Sequence, residues 1–241
     1  DPHSDRRRKC SPYGRSMLQG RCQKPPPGFS ERRHRRALDK GCALNSSPVI
    51  IASGGANLAS LQFALERIGV DAPLTEDPAC LKAASHVILP GVGAARDAMT
   101  RLESARLTDA IREVKKPVLG ICLGLQLLLS GSDENDTTCL DIISGRACRF
   151  PANANLPVPQ MGWNALRRVA DTPLLDGVRD GDYMYFIHSY ALSPGEYTCA
   201  TSDYGGPFSA VVQKDNFFAT QFHPERSSQV GSKILSNFLK L

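Results

Sequence analysis

A cysteine set between two glycines, in Gly120-Ile121-Cys122-Leu123-Gly124, has the Gly-x-nucleophile-x-Gly form of a strand-to-helix elbow. On so sharp a turn the nucleophile takes a strained backbone conformation, and side chains at the flanking positions would collide with the neighbouring strand and helix. The sulfur then stands at the carboxyl end of a strand. A helix starting near Leu123 directs its unpaired N–H groups and its dipole there, and both favour thiolate over thiol. The Leu123 N–H is placed to bind an oxyanion developing on an attacked carbonyl. Taken alone, the pentapeptide fits a structural cysteine buried between strand and helix as well as it fits a nucleophile. Phe222-His223-Pro224-Glu225, far along the chain, changes that balance. Residues two apart in extended chain project to the same side. His223 can therefore act as a base, with Glu225 fixing its tautomer and stabilising its charged form, while Pro224 stiffens the link.

The elements around these residues are arranged to bring them together. From Pro48 onward, short β-branched runs alternate with amphipathic segments. Val49-Ile50-Ile51 reads as a strand followed by a Gly-rich turn at Gly54-Gly55. Leu58, Leu61, Phe63, Ala64, Leu65 and Ile68 then form the apolar stripe of a helix that Gly69 ends. His86-Val87-Ile88-Leu89 predicts a second strand, closed by Pro90-Gly91-Val92-Gly93 and followed by helical segments over 94–114. A third strand over 117–121 leads into a helix over 123–129. This is the βαβ signature of a parallel sheet covered by helices. After Gly145 the texture becomes alternating and aromatic-rich, over 147–150, 183–192 and 197–202. Residues 208–212 pair with 217–222 across Lys214-Asp215-Asn216, which predicts antiparallel strands and a hairpin. A helix over 229–240 closes a single α/β domain, 47–241, with an antiparallel extension.

Composition narrows the function further. A chain of 241 residues with 41% hydrophobic content can bury a sizeable core. Its net charge of +5 is unevenly placed. Residues 1–46 hold 12 of the 29 Lys and Arg but only 4 of the 24 Asp and Glu, so the remaining 17 basic and 20 acidic residues leave the rest mildly acidic. A nucleic-acid binder needs its cations on a structured face or an ordering arm. Here they sit in a Pro-rich stretch, including Pro25-Pro26-Pro27, that reads as a disordered extension. No nucleic-acid partner is expected. No apolar stretch of signal-peptide length follows Arg6-Arg7-Arg8, so neither secretion nor membrane association is expected. The eight cysteines, at 10, 22, 42, 80, 122, 139, 148 and 199, show no Cys-x-x-Cys spacing. That pattern points to reduced thiols in a cytoplasmic protein and disfavours a metal site; no cofactor is expected.

With the elbow and His-Pro-Glu in hand, the chain resembles the class I, triad-type glutamine amidotransferases over residues 48–241. Within them it is most similar to the glutaminase subunits of imidazole glycerol phosphate synthases. The narrower likeness is carried by Gly55-Ala56-Asn57-Leu58, Leu89-Pro90-Gly91-Val92-Gly93-Ala94, Leu125-Gln126-Leu127-Leu128, Pro159-Gln160-Met161-Gly162-Trp163-Asn164, Tyr185-Phe186-Ile187-His188-Ser189-Tyr190 and Gln221-Phe222-His223. The resemblance implies a flavodoxin-like fold, with a mostly parallel central sheet flanked by helices. It implies that Cys122 attacks the side-chain amide of L-glutamine while Leu123 and the Val92-Gly93 backbone hold the oxyanion. It assigns Gln126, Glu134, Ser189 and Tyr190 to glutamine, Gln126 lying one helical turn beyond Cys122. It sets Gln160, Met161, Trp163, Asn164, Tyr185 and His188 at the contact with a (βα)₈-barrel cyclase, which receives the ammonia in histidine biosynthesis. The rival expectations are a glutaminase subunit of another amidotransferase and a non-catalytic regulatory subunit of the same fold. The sequence departs from the family pattern at Ala52-Ser53-Gly54, where a carboxylate is usual, at Ala95, where an aromatic is usual, and at Arg226, where Lys is common.

Overall fold

The computed structural model describes residues 47–52, 58–151 and 156–241. The basic extension 1–46, the turn at Gly54-Gly55, Ser53 and the Gly55-Ala56-Asn57 motif lie outside the described residues. In chain order the helices are α1 (Leu58–Arg67), α2 (Pro78–Ala83), α3 (Ala95–Ser104), α4 (Leu107–Glu113), α5 (Leu123–Leu128) and α6 (Ser228–Phe238). The first strands are β1 (Val49–Ile51), β2 (Leu74–Thr75), β3 (Val87–Gly91), β4 (Val118–Cys122), β5 (Leu129–Ser132), β6 (Thr137–Thr138) and β7 (Ile143–Arg149). They are followed by β8 (Gln160–Ala165), β9 (Arg167–Arg168), β10 (Tyr183–His188), β11 (Tyr190–Leu192), β12 (Thr198–Asp203), β13 (Pro207–Lys214) and β14 (Phe217–Thr220).

The central sheet runs β2-β1-β3-β4-β14-β13-β12-β9. Pairing is parallel from β2 through β14 and antiparallel from β13 outward. Both of its faces are covered, as a parallel sheet requires. Val49 and Ile51, Val87 and Leu89, and Val118 feed one hydrophobic cluster, whereas Ile50, Ile88, Leu119 and Ile121 feed the other. Each such side chain, fully buried, is worth about 1.5–3 kcal/mol relative to exposure. Two smaller sheets lie beside the central one: β10-β8, antiparallel, and β11-β7-β5-β6, which is antiparallel except where β5 pairs β7 in parallel.

Two expected continuities are broken. The helical stretch over 94–114 divides into α3 and α4 at Arg106, whose φ of 57° is left-handed and stops the helix. The strand expected over 183–192 splits at Ser189, so that β10 pairs with β8 and β11 pairs with β7.

The chain order brings β14 beside β4, with Thr220 opposite Ile121. The ends of these two strands therefore carry Cys122 and the His223 segment side by side. Gly124 makes the junction possible: a Cβ built there would lie 1.8 Å from the Leu89 carbonyl oxygen. Because that neighbour is backbone and cannot swing aside, Gly124→Ala is expected to cost at least about 3 kcal/mol of stability. A denaturant titration with an unchanged midpoint would refute the close approach.

Candidate active site

Cys122 ends β4 and precedes α5, and its backbone angles, φ 55° and ψ −106°, store strain at the position where a nucleophile would stand. The flanking glycines behave as the elbow requires. A Cβ on Gly120 would fall 2.9 Å from the Gly124 backbone, as the one on Gly124 would strike β3. The first N–H groups of α5, Leu123 among them, have no acceptor within the helix and follow Cys122 directly in the chain. Opposite, Gly93 has φ 93° with open space around its Cα. Only glycine adopts that conformation at little cost, so the Val92-Gly93 peptide can be presented to the cleft.

His223 follows β14, and its Nδ1 lies 2.8 Å from Glu225 Oε1. The side chains of the pair are 6% and 3% exposed, so little solvent screens them. With Nδ1 engaged, Nε2 is the ring nitrogen left for Cys122. Burial alone would lower the His223 pKa, but hydrogen bonds to Cys122 and Glu225 and attraction to the same two groups outweigh it, raising it to about 10. A folded-state pKa above the unfolded one has a definite sign. The stability that charged His223 contributes is complete below its ordinary pKa of about 6.5 and is lost as pH rises through about 10.

Strand β10 holds both halves of this arrangement. The Cys122 thiol donates to the Ile187 carbonyl (3.7 Å), and the His223 N–H donates to the Tyr185 carbonyl (3.0 Å). Ser227 closes the loop by accepting from the Tyr185 N–H (3.0 Å) while donating to the His223 carbonyl (2.7 Å).

An open cleft of about 410 Å³ lies over Cys122. Gln126 is 3% exposed and donates to the Tyr190 carbonyl (3.0 Å) and to Gln221 Oε1 (3.4 Å). Glu134, Ser189 and Tyr190 also line the cleft, as do Val92, Gly93 and Leu123. Spacing alone did not single out Gln221, which is fully buried and donates from Nε2 to the Cys122 sulfur (3.8 Å). Its place two residues before His223, on the same side of the chain, was the signal available.

The six residues expected at a partner contact divide by strand alternation. Gln160 and His188, opposite each other in β8 and β10, are 1% and 5% exposed and turn inward. They cannot contribute surface area to a partner. His188 instead borders the cleft, donating from Nδ1 to the Tyr190 carbonyl (2.8 Å). Burial, only partly offset by that bond, pushes its pKa down to about 4 and keeps it neutral at pH 7. Met161 (63%) and Trp163 (49%) are exposed, Tyr185 is half-buried, and Asn164 is half-buried with its amide on the Asp203 carbonyl. Trp163 meets Tyr185 edge-on at 5.9 Å, and Arg226 lies over the Tyr185 ring at 6.0 Å. Tyr183, 59% exposed on the same face, belongs with them, and the period of two in β10 would have included it.

The glutamine amidotransferase class-I family model matches residues 53–241. The chain belongs to that family. Its relatives include the "Imidazole glycerol phosphate synthase subunit HisH" of Vibrio parahaemolyticus, 44% identical over 199 residues, 80% of this chain and 97% of the relative. The proteins of the same name from Haemophilus influenzae (46% over 191 residues, 79% and 96%) and Legionella pneumophila, there called HisH 2 (49% over 192 residues, 80% and 96%), are similar to it as well. Among solved structures, a glutamine amidotransferase superposes with a TM-score of 0.63 at 19% identity, covering 80% of this chain and 97% of that one. PurLQS from Thermotoga maritima superposes with a TM-score of 0.60 at 19% identity, covering 81% and 97%. At that identity the likeness concerns the fold alone. No helix among the described residues is long and apolar enough to cross a membrane.

Proposed function

We infer that this amidotransferase is the glutaminase subunit of an imidazole glycerol phosphate synthase, hydrolysing L-glutamine to L-glutamate and passing the ammonia to a (βα)₈-barrel cyclase in L-histidine biosynthesis. The observation that carries the chemistry is the meeting of the Cys122 elbow with the buried His223–Glu225 pair at one cleft. Relatives above 40% identity, matched along nearly their full length, support the choice of pathway.

In this reading the Cys122 proton passes to His223 Nε2, and the thiolate sulfur so formed attacks the side-chain amide carbon of glutamine as the C=O π electrons move onto the oxygen. The oxyanion is held by the Leu123 N–H and the Val92-Gly93 backbone. As the C–N bond breaks, imidazolium His223 gives its Nε2 proton to the departing ammonia, leaving a thioester. Water then attacks the thioester carbon, His223 Nε2 takes its proton, and the C–S bond breaks to release glutamate. Gln126, Ser189 and Tyr190 orient the substrate in the cleft. The exposed face of Met161, Trp163, Tyr183 and Tyr185 suits a partner, since aromatic residues and Met are enriched in interface cores. Strand β10 joins that face to the hydrogen bonds that hold Cys122 and His223.

The deciding measurement is glutamate release by the full chain, with and without the cyclase and its nucleotide substrate. Release that requires the cyclase, with nitrogen from amide-labelled glutamine recovered in the cyclase product, is expected. No glutamate from the complete complex would overturn the reading.

A further inference from the structure

We propose that Arg146, a residue outside the cleft, is a positioning residue for the α-ammonium group of the substrate and acts through Glu134. This deepens the glutaminase reading and rests on it. A glutamine whose amide lies at Cys122 must place its ammonium against an anion, and among the described residues that line the cleft Glu134 is the carboxylate that can serve. Glu134 stands on a 3₁₀ turn, Glu134–Asp136, where Asn135 (φ 55°) and Asp136 (φ 47°) are both left-handed. Two successive non-glycine residues in that region make a turn that persists only when its surroundings hold it.

Ser132 Oγ accepts from the Glu134 N–H (3.1 Å), Thr137 Oγ1 donates to the Glu134 carbonyl (2.6 Å) and Arg96 donates to the Asn135 carbonyl, while Arg146 ties the residues on either side. From β7 its Nε donates to Asp133 Oδ1 (2.6 Å), and its Nη2 donates to the Ser132 carbonyl (2.9 Å) and to Asp136. One planar guanidinium thus grips the chain on both sides of Glu134, a geometry a lysine ammonium cannot reproduce. The group has a seat: a Cβ on Gly131 would lie 2.7 Å from Arg146 Nη1. Glu134 then extends inward, where its Oε2 accepts from the Ala95 N–H (2.7 Å) at the start of α3, just after the Val92-Gly93 turn. Carboxylate capacity remains for further donors. Arg146 is 41% exposed, so the ion pairs themselves add little to global stability, and the effect of losing them falls on the turn.

The test is glutamine saturation kinetics of the full chain in complex with the cyclase, read as glutamate formed. Arg146→Gln is expected to raise KM for glutamine roughly fivefold with kcat changed less than about twofold, the scale of one modest ionic contact. The melting temperature should hold, and Arg146→Lys should recover part of the loss. In a Glu134→Gln background, Arg146→Gln should add nothing, because the residue acts through Glu134. An unchanged KM in Arg146→Gln, or a fully additive effect in the Glu134→Gln background, would overturn the proposal. So would a loss of kcat that tracks a loss of folding in both Arg146 variants. Failure of the glutaminase reading would look different, because the unsubstituted complex itself would form no glutamate.

Discussion

Replacing Cys122 with alanine is expected to reduce glutamine-dependent turnover of the complex by at least about 10⁴-fold, while synthesis supplied with ammonium salts stays within about twofold of the parent. The contrast follows from where the side chain sits. Cys122 has its strained φ of 55° imposed by β4 and α5, and alanine can occupy that backbone without new contacts. The packing that surrounds it, from Gly120, Gly124 and Leu89, involves main-chain atoms the substitution leaves alone. What disappears is the sulfur, and with it the covalent intermediate. His223 and Glu225 remain, but no group at the elbow can bond to the amide carbon. Free ammonia bypasses this site and should still reach the cyclase. Parallel progress curves with glutamine and with ammonium chloride settle the matter: glutamate formation persisting in Cys122→Ala would remove the cysteine from the mechanism, and loss of both activities would mean that assembly had failed.

Most of the architecture that positions this site was readable from pattern. The parallel strands β1, β3 and β4 announced themselves because each is buried on both faces and reads as a short apolar run, as Val49-Ile50-Ile51 and Val118-Leu119 do, whereas β2, only Leu74–Thr75, was too short to register. The hairpin from β13 to β14 was legible from its two apolar runs and the Lys214-Asp215-Asn216 turn between them, and it delivers His223 to Cys122. The division of 183–192 at Ser189 was hidden, since a continuous alternation of apolar residues does not report which sheet its pieces join. Gln160 and His188 illustrate a second blind spot. Membership of a motif said that they mattered, but only the pleat of β8 and β10 separates the inward set from Met161, Trp163 and Tyr183. Arg146 lies further still from sequence reasoning, for its partners Asp133 and Asp136 belong to a turn whose left-handed residues no spacing rule predicts.

Glu225→Gln is expected to lower glutamine-dependent kcat by about 10³–10⁴-fold without dissociating or unfolding the subunit. Glutamine matches glutamate in volume, so the buried pocket around a side chain that is 3% exposed is preserved. An amide can present its oxygen to Nδ1, yet it lacks the charge that, with Cys122, holds the His223 pKa at about 10 against burial. Burial then acts with less opposition, and the His223 pKa falls. A neutral imidazole has no proton on hand for the departing ammonia, and an amide turned the wrong way offers a donor to Nδ1 and reverses the tautomer. Titrating the ring signals of His223 by NMR should therefore show a lower midpoint in the variant. The linkage runs in step: the stability lost by the parent as pH rises toward about 10 should be smaller in Glu225→Gln, because less of it was stored in the charged ring. A variant retaining more than a tenth of the parental kcat with an unshifted His223 midpoint would show that Glu225 does not hold the charge state of the histidine.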